Sequence, residues 1–138
     1  MDAFDADCLI YAAAVGHPLG ARIAALFSEE SPARRTKVGS TVLIPELLSK
    51  PMRDHRTTEI HALLWYLAHL ELRPVDRYVA ALAADLGARH RLRAADAIHL
   101  ATAVQAGADR FVTNNHRDFN RDGIAEIDIT YPDELPAG

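Results

Sequence analysis

The chain predicts a three-layer α/β/α domain with a mostly parallel central sheet. Two observations carry that reading. Short semi-apolar segments alternate with longer amphipathic ones from end to end, the pattern of strands joined by helical crossovers. The composition is also that of an ordinary globular protein, 49% hydrophobic and 25% charged over 138 residues, enough for one core. Residues 1–138 therefore read as a single domain.

The elements follow in order. Ala3 to Asp7 is short and half apolar, an opening strand, and CLIYAAA from Cys8 turns helical with Asp7 at the N-cap position. Gly16 to Pro18 interrupts that helix. LGARIAALFSEE then resumes one, with Leu19, Ile23, Leu26 and Phe27 on a shared face, closed by Ser31 and Pro32. Lys37 to Ser40 is a second strand. A helix follows from Thr41, with Ser40 or Thr41 as its cap and Pro45 in its first turn, where proline costs little. TTEIHALLWYLAHL is a helix with Ile60, Leu63, Leu64 and Leu67 along one stripe, and LELRPV a third strand. Asp76 caps DRYVAALAADLGARH, whose end Gly87 weakens. AADAIHLATAVQAG, rich in alanine and closed by Gly107, is a central buried helix. RFVT, the turn NNHRDFN and the strand AEIDIT complete the pattern.

Composition excludes several functions. A net charge of −4 argues against a general polyanion binder, leaving only a local basic stripe for that role. Cys8 is the sole cysteine, so an internal disulfide framework and a thiolate zinc cage are both excluded, and a reducing cytoplasm fits. The histidines lack HExxH-type spacing, which argues against zinc catalysis. No apolar run approaches a membrane span and no signal peptide opens the chain, so the expectation is a cytoplasmic protein without a membrane partner.

In an open parallel sheet, ligands bind beyond the carboxyl ends of the strands. Asp5 and Asp7 lie at one such end and Thr113, Asn114 and Asn115 at another, while Glu46 and Asp96 recur just after strands or on a core helix. Asp2, at the terminus, reads as a solvated residue. Carboxylates gathered from distant segments repel one another, and a hard divalent cation with oxygen ligands, Mg2+ or Mn2+, is the common remedy. Each position also has a plainer use. Asp before an apolar helix is an N-cap worth about 1 kcal/mol. Asp96, near a first turn, gains about 0.3–1 kcal/mol from the helix dipole. His99, three residues on, reads as a hydrogen-bonding core histidine, Asp118 as a turn former, and the arginine runs as solvated faces.

FDADCLIYA, STVLIPELLS and above all LRAADAIHLATAVQAGADRFVTNN resemble, in order over about residues 3–119, the PIN domain nucleases, and within them the VapC-like toxins of toxin–antitoxin pairs. The resemblance implies a metal-dependent endoribonuclease that hydrolyses phosphodiester bonds in RNA, held in check by a small VapB-like antitoxin and assembled as a homodimer. Apolar helices over Ile60 to Leu70 offer surface for either contact. Asp5, Glu46 and Asp96 fall on the family's metal-binding acids. The family's fourth acid falls on Asn115, which can ligate but adds no charge. In an extended strand Asp5 and Asp7 share a face, so Asp7 is one replacement for that charge and Asp118 the other. Thr113 and Asn114 would orient water, metal or phosphate, and Arg91 and Arg93, just before the Asp96 helix, would contact RNA or antitoxin. The missing acid keeps a second possibility open, a degenerate module that binds RNA or protein without cutting. A phosphoacceptor receiver domain needs a lysine near the last strands, and the only lysines are Lys37 and Lys50.

Overall fold

The computed structural model describes residues 1–28 and 35–138. Five strands, β1 (Asp2–Phe4), β2 (Lys37–Ser40), β3 (Glu71–Arg73), β4 (Arg110–Val112) and β5 (Asp128–Thr130), form one sheet in the order β3-β2-β1-β4-β5. Every pairing is parallel, with Ala3 beside both Val38 and Phe111. Six helices supply the crossovers: α1 (Ala6–Ala13), α2 (Pro18–Ala25), α3 (Leu43–Arg53), α4 (Thr57–Ala68), α5 (Arg77–His90) and α6 (Ala94–Ala106). The chain leaves β1 toward β2 on one side and later returns to β4 on the other. The strand order therefore reverses at β1, and the crevice outside the carboxyl ends of β1 and β4 is the topological switch point.

Side-chain alternation along the strands builds two cores. Phe4 and Val112 pack with Leu9, Leu43, Leu47 and Leu63 on one face, beneath α1, α3 and α4. Ala3 and Phe111 pack with Val79, Leu86, Leu100 and Phe119 on the other, beneath α5 and α6. Burial on both faces is what an all-parallel sheet requires. No single helix among the described residues is long and apolar enough to cross a membrane.

Several expectations are corrected. The opening strand ends at Phe4, and the first helix begins at Ala6 rather than Cys8. The cap is Asp5, whose Oδ1 accepts the Ala6 N–H at 2.8 Å, so Asp7 lies inside the first helical turn and not at the cap or on a strand face with Asp5. Asp2 is not solvated. The parallel register sets it opposite Arg110, whose Nε and Nη2 donate to its carboxylate at 2.9 and 3.2 Å, and it is only 1% exposed. The third helix starts at Leu43 with no side-chain cap bond; Ser40 Oγ instead accepts the Val42 N–H at 3.1 Å. The helix expected over DRYVAALAADLGARH does run through Gly87 to His90; a Cβ at Gly87 would stand 3.4 Å from the Ala97 Cβ, so the glycine serves close α5–α6 packing.

Other expectations match. Asp76 Oδ1 accepts the Val79 N–H at 2.9 Å and caps α5. Gly107, at φ +72°, closes α6 in the left-handed region that favours glycine. The helix break at Gly16 to Pro18 turns the chain by 102° between α1 and α2. α2 stops at Ala25, short of the helix expected through Phe27 and Ser28, while the expected continuation through Glu29 and Glu30, the stop at Ser31 and Pro32, and Arg34 lie outside the described residues.

Candidate metal centre

Asp5 is placed by the last residue of β1 and the first turn of α1, and it is 5% exposed. One oxygen is taken by the Ala6 N–H; the other accepts the Thr113 hydroxyl at 2.8 Å. Thr113 follows β4 and is fully buried, and its Oγ1 in turn accepts the Asn115 N–H at 3.1 Å. The two central strands thus deliver Asp5 and Thr113 to a single point at the switch crevice. Asp7, two residues further on, accepts the Asn114 N–H on Oδ2 at 3.0 Å, while its buried Oδ1 has no hydrogen-bond partner among the described residues.

Glu46 and Asp96 approach from the helices. Glu46 sits in the first turn of α3, and its Oε1 lies 2.6 Å from Nε2 of His99, a buried residue of α6. With an ionised Glu46 that nitrogen is the donor, and the buried Nδ1 has no partner among the described residues. The core-histidine reading of His99 therefore holds, with an added consequence: it fixes the direction of Glu46. Asp96 is in the first turn of α6, half-buried, one turn before His99.

Electrostatics joins these groups. Burial, and next the Asp7 carboxylate, push Asp5 up from an ordinary 3.8 to about 6, against the opposing pull of His99, Thr113 and the Ala6 N–H. Burial also raises Asp7. Asp96 is raised by burial, then by Asp5 and Asp118, with His99 opposing and Glu46 adding. Among the described residues no arginine or lysine pairs with Asp5, Asp7, Asp96, Asp118 or Glu46.

Asn115 and Asp118 form one unit. The Asn115 amide nitrogen donates to Asp118 Oδ2 at 2.9 Å, and its carbonyl oxygen accepts the Asp118 N–H at 3.2 Å. Both ends of the amide are engaged, so the side chain expected to replace an acid instead orients one. Asn114 keeps its amide near the Tyr11 hydroxyl, at 3.4 Å. Arg91 and Arg93 are exposed, but they part company: Arg93 is the N-cap residue of α6, whereas Arg91 ends α5 and shares a depression with Arg117. Arg117 escaped the sequence reading, although it stands next to Asp118 in the same turn.

The donor set suits a hard divalent cation: carboxylate oxygens in excess, one of them buried and without a hydrogen-bond partner among the described residues, with the proton affinities of Asp5, Asp7 and Asp96 raised by burial first and by neighbouring carboxylates after it. Among the described residues no three His, Cys, Asp or Glu side chains close into a ready cage. Mg2+ does not require one, since it keeps several waters and binds through one or two carboxylates.

An acidic crevice at the switch point of an all-parallel sheet defines an α/β protein whose carboxylates gather at its strand ends. The family model for the PIN domain matches residues 3–123, and the chain belongs to the PIN domain family. No curated protein sequence matches it. Solved structures with the same fold include a chain of a toxin–antitoxin complex from Klebsiella pneumoniae, 21% identical with a TM-score of 0.72 over 96% of this chain and 98% of that one. DNA-bound VapBC from Salmonella typhimurium is 20% identical, TM-score 0.71, over 95% and 97%. VapBC2 from Rickettsia felis, bound to a DNA fragment from the promoter, is 16% identical, TM-score 0.69, over 94% and 97%.

Proposed function

We propose that this protein is a Mg2+- or Mn2+-dependent endoribonuclease, the toxin of a type II toxin–antitoxin module acting in the cytoplasm as a single PIN domain. The observation that carries the reading is Asp5: a buried carboxylate at the switch point, fixed on both oxygens and raised to about 6, with no arginine or lysine among the described residues paired to it. Asp5, Asp96 and Glu46 would hold the cation, with Asp118 as the fourth acid in place of Asn115. A bound Mg2+ or Mn2+ supplies a more acidic water and stabilises negative charge on the phosphodiester.

The chain's own groups do the positioning. Thr113 and the Ala6 N–H hold Asp5 in one orientation, so its ordering entropy is lost on folding rather than on substrate binding. His99 holds Glu46, and Asn115 holds Asp118. Asn114, at the same edge, is placed to orient water or the scissile phosphate, and no covalent nucleophile is required. Asp7 adds negative charge beside Asp5 and raises the cluster's demand for a cation.

The fold shared with chains of toxin–antitoxin complexes supports a small VapB-like antitoxin as partner. Leu64 and Trp65 on α4, each nearly half exposed, offer apolar surface for it or for a homodimer.

Purified protein is expected to cleave single-stranded RNA when Mg2+ or Mn2+ is added and not in chelator, and Asp5→Ala and Asp96→Ala are each expected to abolish cleavage and growth inhibition. Undiminished cleavage in both variants would sink the assignment. A second reading, an RNA- or protein-binding module without cleavage, is favoured by the neutral Asn115. Calorimetric metal titration separates the two: the binding-module reading stands if only Asn115→Asp takes up metal and cuts.

A further inference from the structure

Beside Asp118 lies a depression of about 230 Å3 walled by Arg89, His90, Arg91, Arg117, Asp118 and Asn120. Its basic groups are not equivalent. Arg89 is held by Asp85 and by Glu126, and His90 Nε2 lies 2.7 Å from Glu126 Oε2. Those contacts engage Asp85 and Glu126. The guanidinium groups of Arg91 and Arg117 are exposed and have no hydrogen-bond or ion-pair partner among the described residues. Arg91 also adopts φ +56°, the left-handed conformation that ends α5. A residue with a Cβ costs about 1–2 kcal/mol there, where glycine would be free of strain.

We propose that this depression is a subsite for a backbone phosphate of the RNA strand, flanking the cleaved bond and anchored by Arg91 and Arg117. The inference rests on the nuclease reading for the position of that bond. Asp118 faces both regions: it adds to the negative field at Asp96 and it lines the depression. A strand whose scissile phosphate lies at the acids therefore runs past Asp118 into the space between the two arginines. There is a physical need for such a site. The protein carries a net charge of −4 and its crevice is acidic, so a polyanion approaching it is repelled unless cations flank the acids. Guanidinium groups suit this role because their planar fork matches phosphate oxygens. Arg93, adjacent in sequence to Leu92 and Ala94, does not line the depression.

The test is fluorescence anisotropy of a labelled single-stranded oligoribonucleotide over a salt series, with Mg2+ present and on the Asp96→Asn background so that cleavage does not erode the signal. Each lost phosphate contact lowers the slope of log affinity against log salt by about 0.7. Arg91→Ala with Arg117→Ala is expected to weaken binding at least tenfold and to reduce the slope by about 0.7, the loss of the one phosphate they share. Arg91→Lys with Arg117→Lys is expected to keep most of the slope. Unchanged affinity and slope in a double variant with wild-type circular dichroism and melting overturns the proposal, as does a double variant that binds RNA normally and loses only a protein partner. Wild-type chain that binds with the expected arginine dependence yet never cleaves leaves the subsite standing and removes the nuclease reading instead.

Discussion

Asp5→Asn is expected to stabilise the metal-free protein at neutral pH, although it removes the residue most central to the site. In the folded state the Asp5 carboxyl is raised from 3.8 to about 6, chiefly by burial and then by Asp7. Ionising it therefore costs the folded chain more than the unfolded one. The sign follows: the penalty is absent below pH 3.8, grows between 3.8 and 6, and is complete above 6. A shift of that size corresponds to about 3 kcal/mol at roughly 1.4 kcal/mol per unit. Asparagine keeps an acceptor for the Ala6 N–H, but the amide nitrogen it then turns to Thr113 cannot accept from that hydroxyl, a loss of about 1 kcal/mol. The net expectation is about 2 kcal/mol of added stability at pH 7.5, shrinking toward zero by about pH 4.5.

Urea melts of both proteins in chelator, followed by tryptophan fluorescence across that pH range, measure the difference directly. The carboxyls whose values are lowered, Asp109, Glu126 and Glu134, lose their contribution only as the pH falls below their ordinary 3.8 to 4.5, so they do not obscure the window above pH 5. Saturating Mg2+ is expected to reverse the order. A ligand at 100 times its Kd adds about 2.7 kcal/mol to the wild type alone if Asp5 is essential for binding. A variant less stable than wild type in chelator at pH 7.5, or a gap that does not change with pH, refutes the view of Asp5 as an uncompensated buried charge.

Asp118→Asn is expected to reduce cleavage at least tenfold and Asn115→Ala to reduce it less, with the Asn115→Ala defect partly offset by raised Mn2+; equal, metal-independent effects would deny that Asn115 acts through Asp118. Gly20→Ala is expected to cost about 2–3 kcal/mol in thermal or chemical melts, because overpacking is the penalty when backbones already touch. A Cβ at Gly20 would stand 2.0 Å from the Tyr11 carbonyl oxygen where α2 crosses α1, and a neutral outcome would contradict that close approach.

Alternation of element types made the fold readable. Each of the five strands lies within or overlaps a segment whose composition marks it, and Asp76 and Gly107 announce their helix ends through local chemistry. The errors arose where two local rules competed. Asp5 and Asp7 are both good N-cap residues before the same apolar run, and sequence alone does not choose between them. The structure chooses Asp5 because β1 ends one residue earlier, at Phe4, the last residue in register with β4. Asp2 was misread because its partner, Arg110, is 108 residues away and becomes visible only through sheet register.

The same distinction separates the legible from the illegible parts of the site. Asp5, Glu46 and Asp96 are recognisable because each sits in a patterned stretch next to an element end. What each one touches is a tertiary fact. His99 reaches across from α6 to Glu46, and Thr113, just after β4, to Asp5, so two separate segments fix the directions of two acids. The departure at Asn115 shows why contact matters more than residue type. Read alone, it removes a charge; in place, both its amide atoms bind Asp118 and its backbone N–H binds the threonine that holds Asp5. An aspartate at 115 would lose the donor that engages Asp118 and set two carboxylates face to face within hydrogen-bond distance. The asparagine is thus the residue type that lets the negative charge sit three positions later without repulsion at its own support.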